Sequence, residues 1–425
     1  MGLAILFGVF ALGLISGMPV AFALGLATVG GFLYEGLPMF IGFQRILSGI
    51  SVFSLLAIPF FIFAGELMMQ GGIAARLVRL AASAVGKSRG GLGVVNVASS
   101  MLFGGISGSA VADTSALGAI LMPVMKEKGY DADYAVNVTV TSSVAGVVIP
   151  PSHNMILYAV AAGGVSVSQL FIAGVIPGIL IAILFSAIVV VIVRLDPAQG
   201  GHTIDMPPLS ERLRALAHIL PVLGLFGFLL GGLYMGVFTP TEGAVVGVFA
   251  VLVMGALQRR LSLAAIRHAL ADAAFLTTML FMIIVGGTLF TRFLVQTGFI
   301  GALTGWMLSM NLGYAPFIIA VTILYLILGC VLDLFGMLIL TVPILFPIAT
   351  SLGIDPVWFG IYIIIVAEIG LVTPPLGVNV YVIKTVAPDV PLTKIFLGCL
   401  PFVAGMLAFI TLMAVFPQIA LVMVR

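Results

Sequence analysis

The chain has 425 residues, 62% of them hydrophobic and 8% charged, with a formal net charge of +2 and a mean hydropathy of +1.32. That balance excludes a soluble domain, and a net charge of +2 gives no reason to expect a nucleic-acid partner. The two cysteines, Cys330 and Cys399, lie in apolar surroundings and offer neither a metal-binding spacing nor a disulfide framework.

Apolar runs of membrane-spanning length recur from one end to the other. Residues 1–32 lack a basic leader and a cleavage site, so they read as membrane structure. Spans are predicted near 2–16, 18–34 and 50–70, followed by a Gly-rich re-entrant hairpin at 91–126. A span broken at Pro150-Pro151 (134–163) and one at 169–194 complete a first unit, 1–195. Residues 196–214 read as a cytoplasmic connector. The second unit, 215–425, has spans at 216–236, 241–257 and 273–294, then a stretch at 296–311 that lies flat or partly inserted. A hairpin at 315–350, a broken span at 357–386 and a last span at 392–422 follow. Short arms around Phe43-Gln44-Arg45 and at 263–271 are expected along the membrane interface.

Within these units, residues 105–177 and 329–401 match without a gap. Adding 224 carries Gly105 to Gly329, Pro123 to Pro347, Gly129 to Gly353 and Asp131 to Asp355. The same shift carries Gly146 to Gly370, Pro150-Pro151 to Pro374-Pro375, Gly174 to Gly398 and Pro177 to Pro401. A duplicated unit whose helices break at matching places points to a secondary transporter with a midplane site. With five crossings and one hairpin per unit, an odd number, the units must be inverted. On that topology one side of the membrane receives fourteen of the 17 basic residues and the other only Arg45, Arg292 and Arg425. The crowded side is therefore cytoplasmic, and both termini are predicted to be periplasmic.

The first hairpin tip, Gly104-Gly105-Ile106-Ser107-Gly108-Ser109-Ala110-Val111-Ala112-Asp113-Thr114, is a poor membrane helix. Irregular backbone survives at depth only where it is buried in protein or lines a hydrated cavity. Small residues that merely permit close helix packing are the alternative, but packing does not account for Asp113. Each Pro-Pro pair removes two amide donors and frees carbonyls. Freed carbonyls suit a cation, and the amide end of the following half-helix suits an anion. The alternative is a kink with only a packing role. At the second tip, Asp333, and beside the second break, Glu368, would either bind a cation or accept a proton. A carboxyl bonded to a neighbouring helix is the other reading. His153, in the first break, either titrates or satisfies loop backbone. Glu66, Glu242 and Arg292 read as interfacial or scaffold contacts.

The run Gly105-Ile106-Ser107-Gly108-Ser109-Ala110-Val111-Ala112-Asp113, the two Pro-Pro breaks and the length resemble the large membrane subunit of tripartite ATP-independent periplasmic (TRAP) transporters, within the ion-transporter superfamily. The resemblance covers essentially the whole chain. It implies an all-α polytopic protein of inverted repeats, with scaffold and elevator-type transport domains, in a bacterial inner membrane. It implies sodium-coupled uptake of an organic anion, a carboxylate for example. The implied partners are a small four-helix membrane subunit and a periplasmic substrate-binding protein. The expected sodium ligands are Ser107, Ser109, Asp113, Gly146 and Val148 in the first unit, and Gly329, Asp333, Gly336, Val372 and Thr373 in the second. Expected substrate contacts are Ser107, Gly108, Ser152, Asn154, Thr373, Gly377 and Asn379. Neither tip has the Ser-Asn-Thr triplet of relatives outside the tripartite group.

Two other readings remain open at this stage. A stand-alone anion carrier or antiporter of the same superfamily would need no binding protein. An intramembrane serine protease would use Gly105-Ile106-Ser107-Gly108 with His153 as base, but would have no use for a second tip and break.

Overall fold

Helix satisfies every backbone donor and acceptor within its own segment, which a chain this apolar requires in lipid. The computed structural model describes residues 1–85, 90–202, 208–258, 261–309 and 313–424. Among them the chain is helical, with one isolated bridge between Tyr130 and Gly200.

The chain opens with α1 (Gly2–Ile15), α2 (Val20–Tyr34), α3 (Met39–Ile50) and α4 (Ala57–Gln70). After α5 (Ile73–Val85) come the hairpin arms α6 (Gly91–Ser107) and α7 (Ala110–Glu127), the half-helices α8 (Ala132–Gly146) and α9 (His153–Ala162), and α10 (Val167–Leu195). The second half runs α11 (Leu209–Tyr234), α12 (Pro240–Leu257), α13 (Leu263–Gln296) and α14 (Phe299–Ser309). It ends with hairpin arms α15 (Tyr314–Gly329) and α16 (Leu334–Ser351), half-helices α17 (Pro356–Gly370) and α18 (Val378–Val386), then α19 (Leu392–Val415) and α20 (Gln418–Leu421). Seven described helices are long and apolar enough to cross a membrane, and α1, α2, α15 and α17 are shorter apolar helices.

The helices sort into two packed groups. In one, α2, α3 and α4 lie along α13, α1 packs on α2, and α12 packs on α4. In the other, α6 and α7 pack on α8, α15 and α16 pack on α17, α18 on α7, and α19 on α8. The groups meet where α16 touches α13 and where α6 and α9 touch α4.

Within the second group, α7 and α16 start and stop at residues 224 apart, as do α8 and α17. The matching helices are capped alike. Ser109 Oγ accepts from Ala112 N at 3.3 Å, and Asp333 Oδ1 accepts from Gly336 N at 3.2 Å. Asp131 Oδ1 caps Tyr134 N at 3.1 Å, and Asp355 Oδ1 caps Val357 N at 2.9 Å. Both Pro-Pro bonds, Pro150-Pro151 and Pro374-Pro375, are cis.

The structure departs from the sequence reading at several points. The arm at 263–271 is not separate: it continues through 273–294 as one 34-residue helix, because no glycine or proline interrupts it between Ser262 and Gly286. The last span ends at Val415, before Pro417. Helix α5, carrying Arg76 and Arg79, went unread because its 13 residues are too few to cross a membrane. The connector is shorter than 196–214, since α11 begins at Leu209; 203–207 lie outside the described residues. So do Lys87, Arg89, Arg259, Arg260 and Arg425, all used in the charge count. Finally, the gap-free alignment slips by one in α6. Gly104, not Gly105, meets Gly146 as Gly329 meets Gly370, because the first tip helix runs on to Ser107.

Candidate functional site

Each tip is held against its break by glycine. A methyl group on Gly370 would stand 2.9 Å from the Tyr325 carbonyl and 3.0 Å from the Gly329 Cα, so only glycine allows this approach. At the first tip, Gly108 adopts a left-handed conformation (φ +62°). Its amide donates to the Gly104 carbonyl at 2.7 Å, and its carbonyl accepts from Asn154 Nδ2 at 3.3 Å. At the second tip, Cys330 Sγ lies 3.3 Å from the Pro374 carbonyl. The His153 ring packs on Phe335 with centroids 5.2 Å apart, so the first break touches the second tip.

The hydroxyls of Ser107 and Ser109 are partly engaged by backbone. Ser107 Oγ lies 3.5 Å from the Ser109 carbonyl and 3.4 Å from the Ser109 amide, while Ser109 caps α7. Ser107 is not bonded to His153 among the described hydrogen bonds, which leaves the protease reading without a nucleophile–base pair. In the second break, Thr373 Oγ1 donates to the Ile369 carbonyl at 2.6 Å, and the Val372 amide donates to the same carbonyl at 3.2 Å. Gly377 is left-handed (φ +54°); a methyl group there would lie 3.2 Å from both the Leu371 and Thr373 carbonyls. The Val148 carbonyl oxygen packs against Gly174 of α10.

What remains is a set of buried polar atoms, most of them oxygens, with no hydrogen bond of normal geometry. Both carboxylate oxygens of Asp113 are among them, and Ser100 beside it makes no hydrogen bond of normal geometry. Asp333 Oδ2, Glu368 Oε2, Ser152 Oγ and Asn154 Oδ1 are likewise unsatisfied, as are both amide atoms of Asn379. A buried carboxylate without a partner is costly, and a hard cation relieves that cost through oxygen donors. Asp113, beside the Ser100 hydroxyl, and Asp333, whose Oδ1 is held by the Gly336 amide while Oδ2 is not, therefore leave carboxylate oxygens that fit a cation such as sodium.

A polar seam that the sequence reading missed runs beneath the first tip. Asn96 Nδ2 donates to Thr139 Oγ1 at 2.6 Å, and Thr114 Oγ1 donates to Ser143 Oγ at 2.6 Å. Ser99, Ser100 and Ser142 are buried beside it. The signal was present as Asn96, Ser99 and Ser100, which share one helix face three and four residues apart.

Two cavities lie at the boundary between the helix groups. One of about 300 Å³ is lined by Ser107, Ser109 and His153, by Phe335, and by Glu66 and Leu280 of the other group. Of the expected substrate contacts only Ser107 lines it; Gly108, Ser152 and Asn154 sit behind the tip, and Thr373, Gly377 and Asn379 lie at the second break. The second cavity, of about 340 Å³, is bounded by Gly49, Val160, Thr288, Arg292, Ile339 and Pro343.

Known proteins are similar to this chain in sequence and in fold. Residues 7–419 match the family described as tripartite ATP-independent periplasmic transporter, DctM component. The chain is 34% identical to the C4-dicarboxylate TRAP transporter large permease protein DctM of Rhodobacter capsulatus, covering 99% of this chain and 98% of that one. It is 34% identical to the sialic acid TRAP transporter large permease protein SiaM of Vibrio cholerae, covering 96% and 95%. It is 36% identical to the 2,3-diketo-L-gulonate TRAP transporter large permease protein YiaN of Escherichia coli, covering 91% of each. The fold is similar to the crystal structure of the YdaH transporter of Alcanivorax borkumensis, with a TM-score of 0.66, 14% identity and 88% of each chain covered. A multi-span chain with two tips seated on two broken helices is thus matched over nearly its whole length, and the chain belongs to the DctM family of large TRAP membrane components.

Proposed function

We propose that this chain takes up an organic anion of the carboxylate class across a bacterial inner membrane, driven by sodium, with both termini periplasmic. A periplasmic binding protein delivers the anion, and a small four-helix subunit completes the scaffold. Helices α1–α4 and α11–α13 belong to that scaffold. The inverted tip-and-break units, α6–α10 and α15–α19, form the body that rides past it as an elevator.

The observation that carries this reading is the carboxylate of Asp113, which makes no hydrogen bond of normal geometry and lies buried behind a tip cavity lined by Glu66 and, among the described residues, by no Lys or Arg. An anion beside Glu66 is repelled until cations occupy the tips, so substrate affinity depends on sodium. Sodium at Asp113 and at Asp333 would neutralise the two tips, and the backbone and hydroxyl groups of Ser107 would then meet the carboxylate. The named relatives carry C4-dicarboxylates, sialic acid and a diketo sugar acid, and we extend that anionic class to this chain.

The test is reconstitution with the small subunit and binding protein, using radiolabelled succinate and N-acetylneuraminate as probes. Uptake should follow an inward sodium gradient and vanish when potassium replaces sodium. Equal uptake in potassium ends the sodium-coupled reading. Full uptake with the binding protein omitted identifies a stand-alone carrier instead.

A further inference from the structure

We propose that Arg292 is the anion-recognition residue of the second cavity, capturing the substrate's carboxylate on the outer side before it reaches the tips. The proposal rests on the uptake reading above, which sets the direction of transport.

Arg292 lies on α13, four residues before that helix ends, and it is the only charged residue lining the 340 Å³ cavity among the described residues. Its Nε is buried and has no hydrogen-bond partner. No described carboxylate pairs with it. An Nε buried without a partner, in a cavity walled also by Val160, Ile339 and Pro343, is costly unless something anionic joins the group. Its planar fork matches a carboxylate in two parallel hydrogen bonds, and apolar walls strengthen that pairing. The volume suits a small organic acid.

The walls also belong to both helix groups. Gly49, Thr288 and Arg292 come from α3 and α13; Val160, Ile339 and Pro343 come from α9 and α16. An anion held here touches the fixed and the moving parts at once.

Along α13 the other cavity lies near Leu280, about 20 Å away at 1.5 Å per residue. There the scaffold presents Glu66 instead. One scaffold therefore offers a cation to the anion on one side and a carboxylate on the other. The charge rule puts Arg292 on the side poor in basic residues, which is the outer one. The asymmetry favours capture outside and release inside.

The test uses the full chain with its small subunit and binding protein in vesicles, with succinate and N-acetylneuraminate as probes. Arg292→Gln should raise the half-saturating substrate concentration for inward transport about tenfold, equivalent to about 1.4 kcal/mol. The half-saturating sodium concentration should not move, and efflux from preloaded vesicles should keep its rate. Arg292→Lys, which keeps the charge but not the fork, should fall between. If inward half-saturation is unchanged in Arg292→Gln while wild type transports, the proposal is overturned and the uptake reading stands. If wild type transports neither probe, the uptake reading fails and takes the proposal with it. A measurement on unaltered protein guards against misfolding of the variant. Phenylglyoxal labelling of Arg292, read by mass spectrometry, should slow when either probe is present with sodium. Labelling at an undiminished rate also overturns the proposal.

Discussion

Gly329 and Gly370 meet backbone to backbone: a methyl group on Gly329 would stand 2.6 Å from the Cα of Gly370. This contact seats the second tip on its broken helix, as Gly104 against Gly146 seats the first. Gly370→Ala should destabilise the protein by about 1–3 kcal/mol, the usual cost of overpacking a filled interior. Gly353→Ala, at an open left-handed turn, should cost less, since only backbone strain opposes it. Thermal unfolding in detergent compares the two. A larger loss at Gly353 would mean that the glycine contact does not hold the tip.

Asp333 does two jobs that a well-chosen substitution separates. Its Oδ1 caps α16 and its Oδ2 is free. Asp333→Ala should lose the cap, about 1 kcal/mol, together with sodium-dependent uptake. Asp333→Ser restores a cap of the kind Ser109 provides in the first unit, but not the carboxylate. Stability should return in the serine variant and uptake should not. Normal uptake by Asp333→Ser reduces this residue to a helix cap.

For Asp113 the expected signature lies in stability itself. A cation that binds only the folded protein stabilises it by about 2.7 kcal/mol at a hundred times its dissociation constant. The wild-type unfolding temperature should therefore rise with sodium at constant ionic strength. Asp113→Asn keeps the shape and removes the buried charge, so its unfolding temperature without sodium should equal or exceed that of wild type. The rise with added sodium should be much smaller. An undiminished sodium response in this variant places the ion elsewhere.

Ser107→Ala and Ser109→Ala address the first tip's hydroxyls. If they are ion ligands, the half-saturating sodium concentration should rise, by about tenfold for a ligand worth 1.4 kcal/mol. Substrate affinity at saturating sodium should barely change. Ser109→Ala also removes the α7 cap, so its unfolding temperature should drop while that of Ser107→Ala holds. Gly108→Val should be damaging whatever the ion does, since its side chain would meet His153 in a left-handed turn. A sodium titration of uptake that leaves the double serine variant unchanged removes both hydroxyls from the site.

Membrane class, the two Pro-Pro breaks and the 224-residue equivalence were legible in the sequence, because each is a property of order along one chain. Apolar length reports burial in lipid, and paired prolines break a helix wherever it packs. The ends of α7, α8, α16 and α17 follow the equivalence to the residue, since the capping residues Ser109, Asp131, Asp333 and Asp355 are themselves local signals. What spacing along a helix does not encode is which faces meet across helices. The tertiary structure alone decided that Gly104, one residue before the aligned glycine, contacts Gly146. It alone decided that Asp113 finds no partner while Asp333 turns one oxygen to its own helix. Arg292 and Glu66, both read as interfacial from their positions near span ends, became the charged walls of two cavities. That outcome depends on how α13 crosses its neighbours, a relation between surfaces distant in sequence and fixed only when the helices pack.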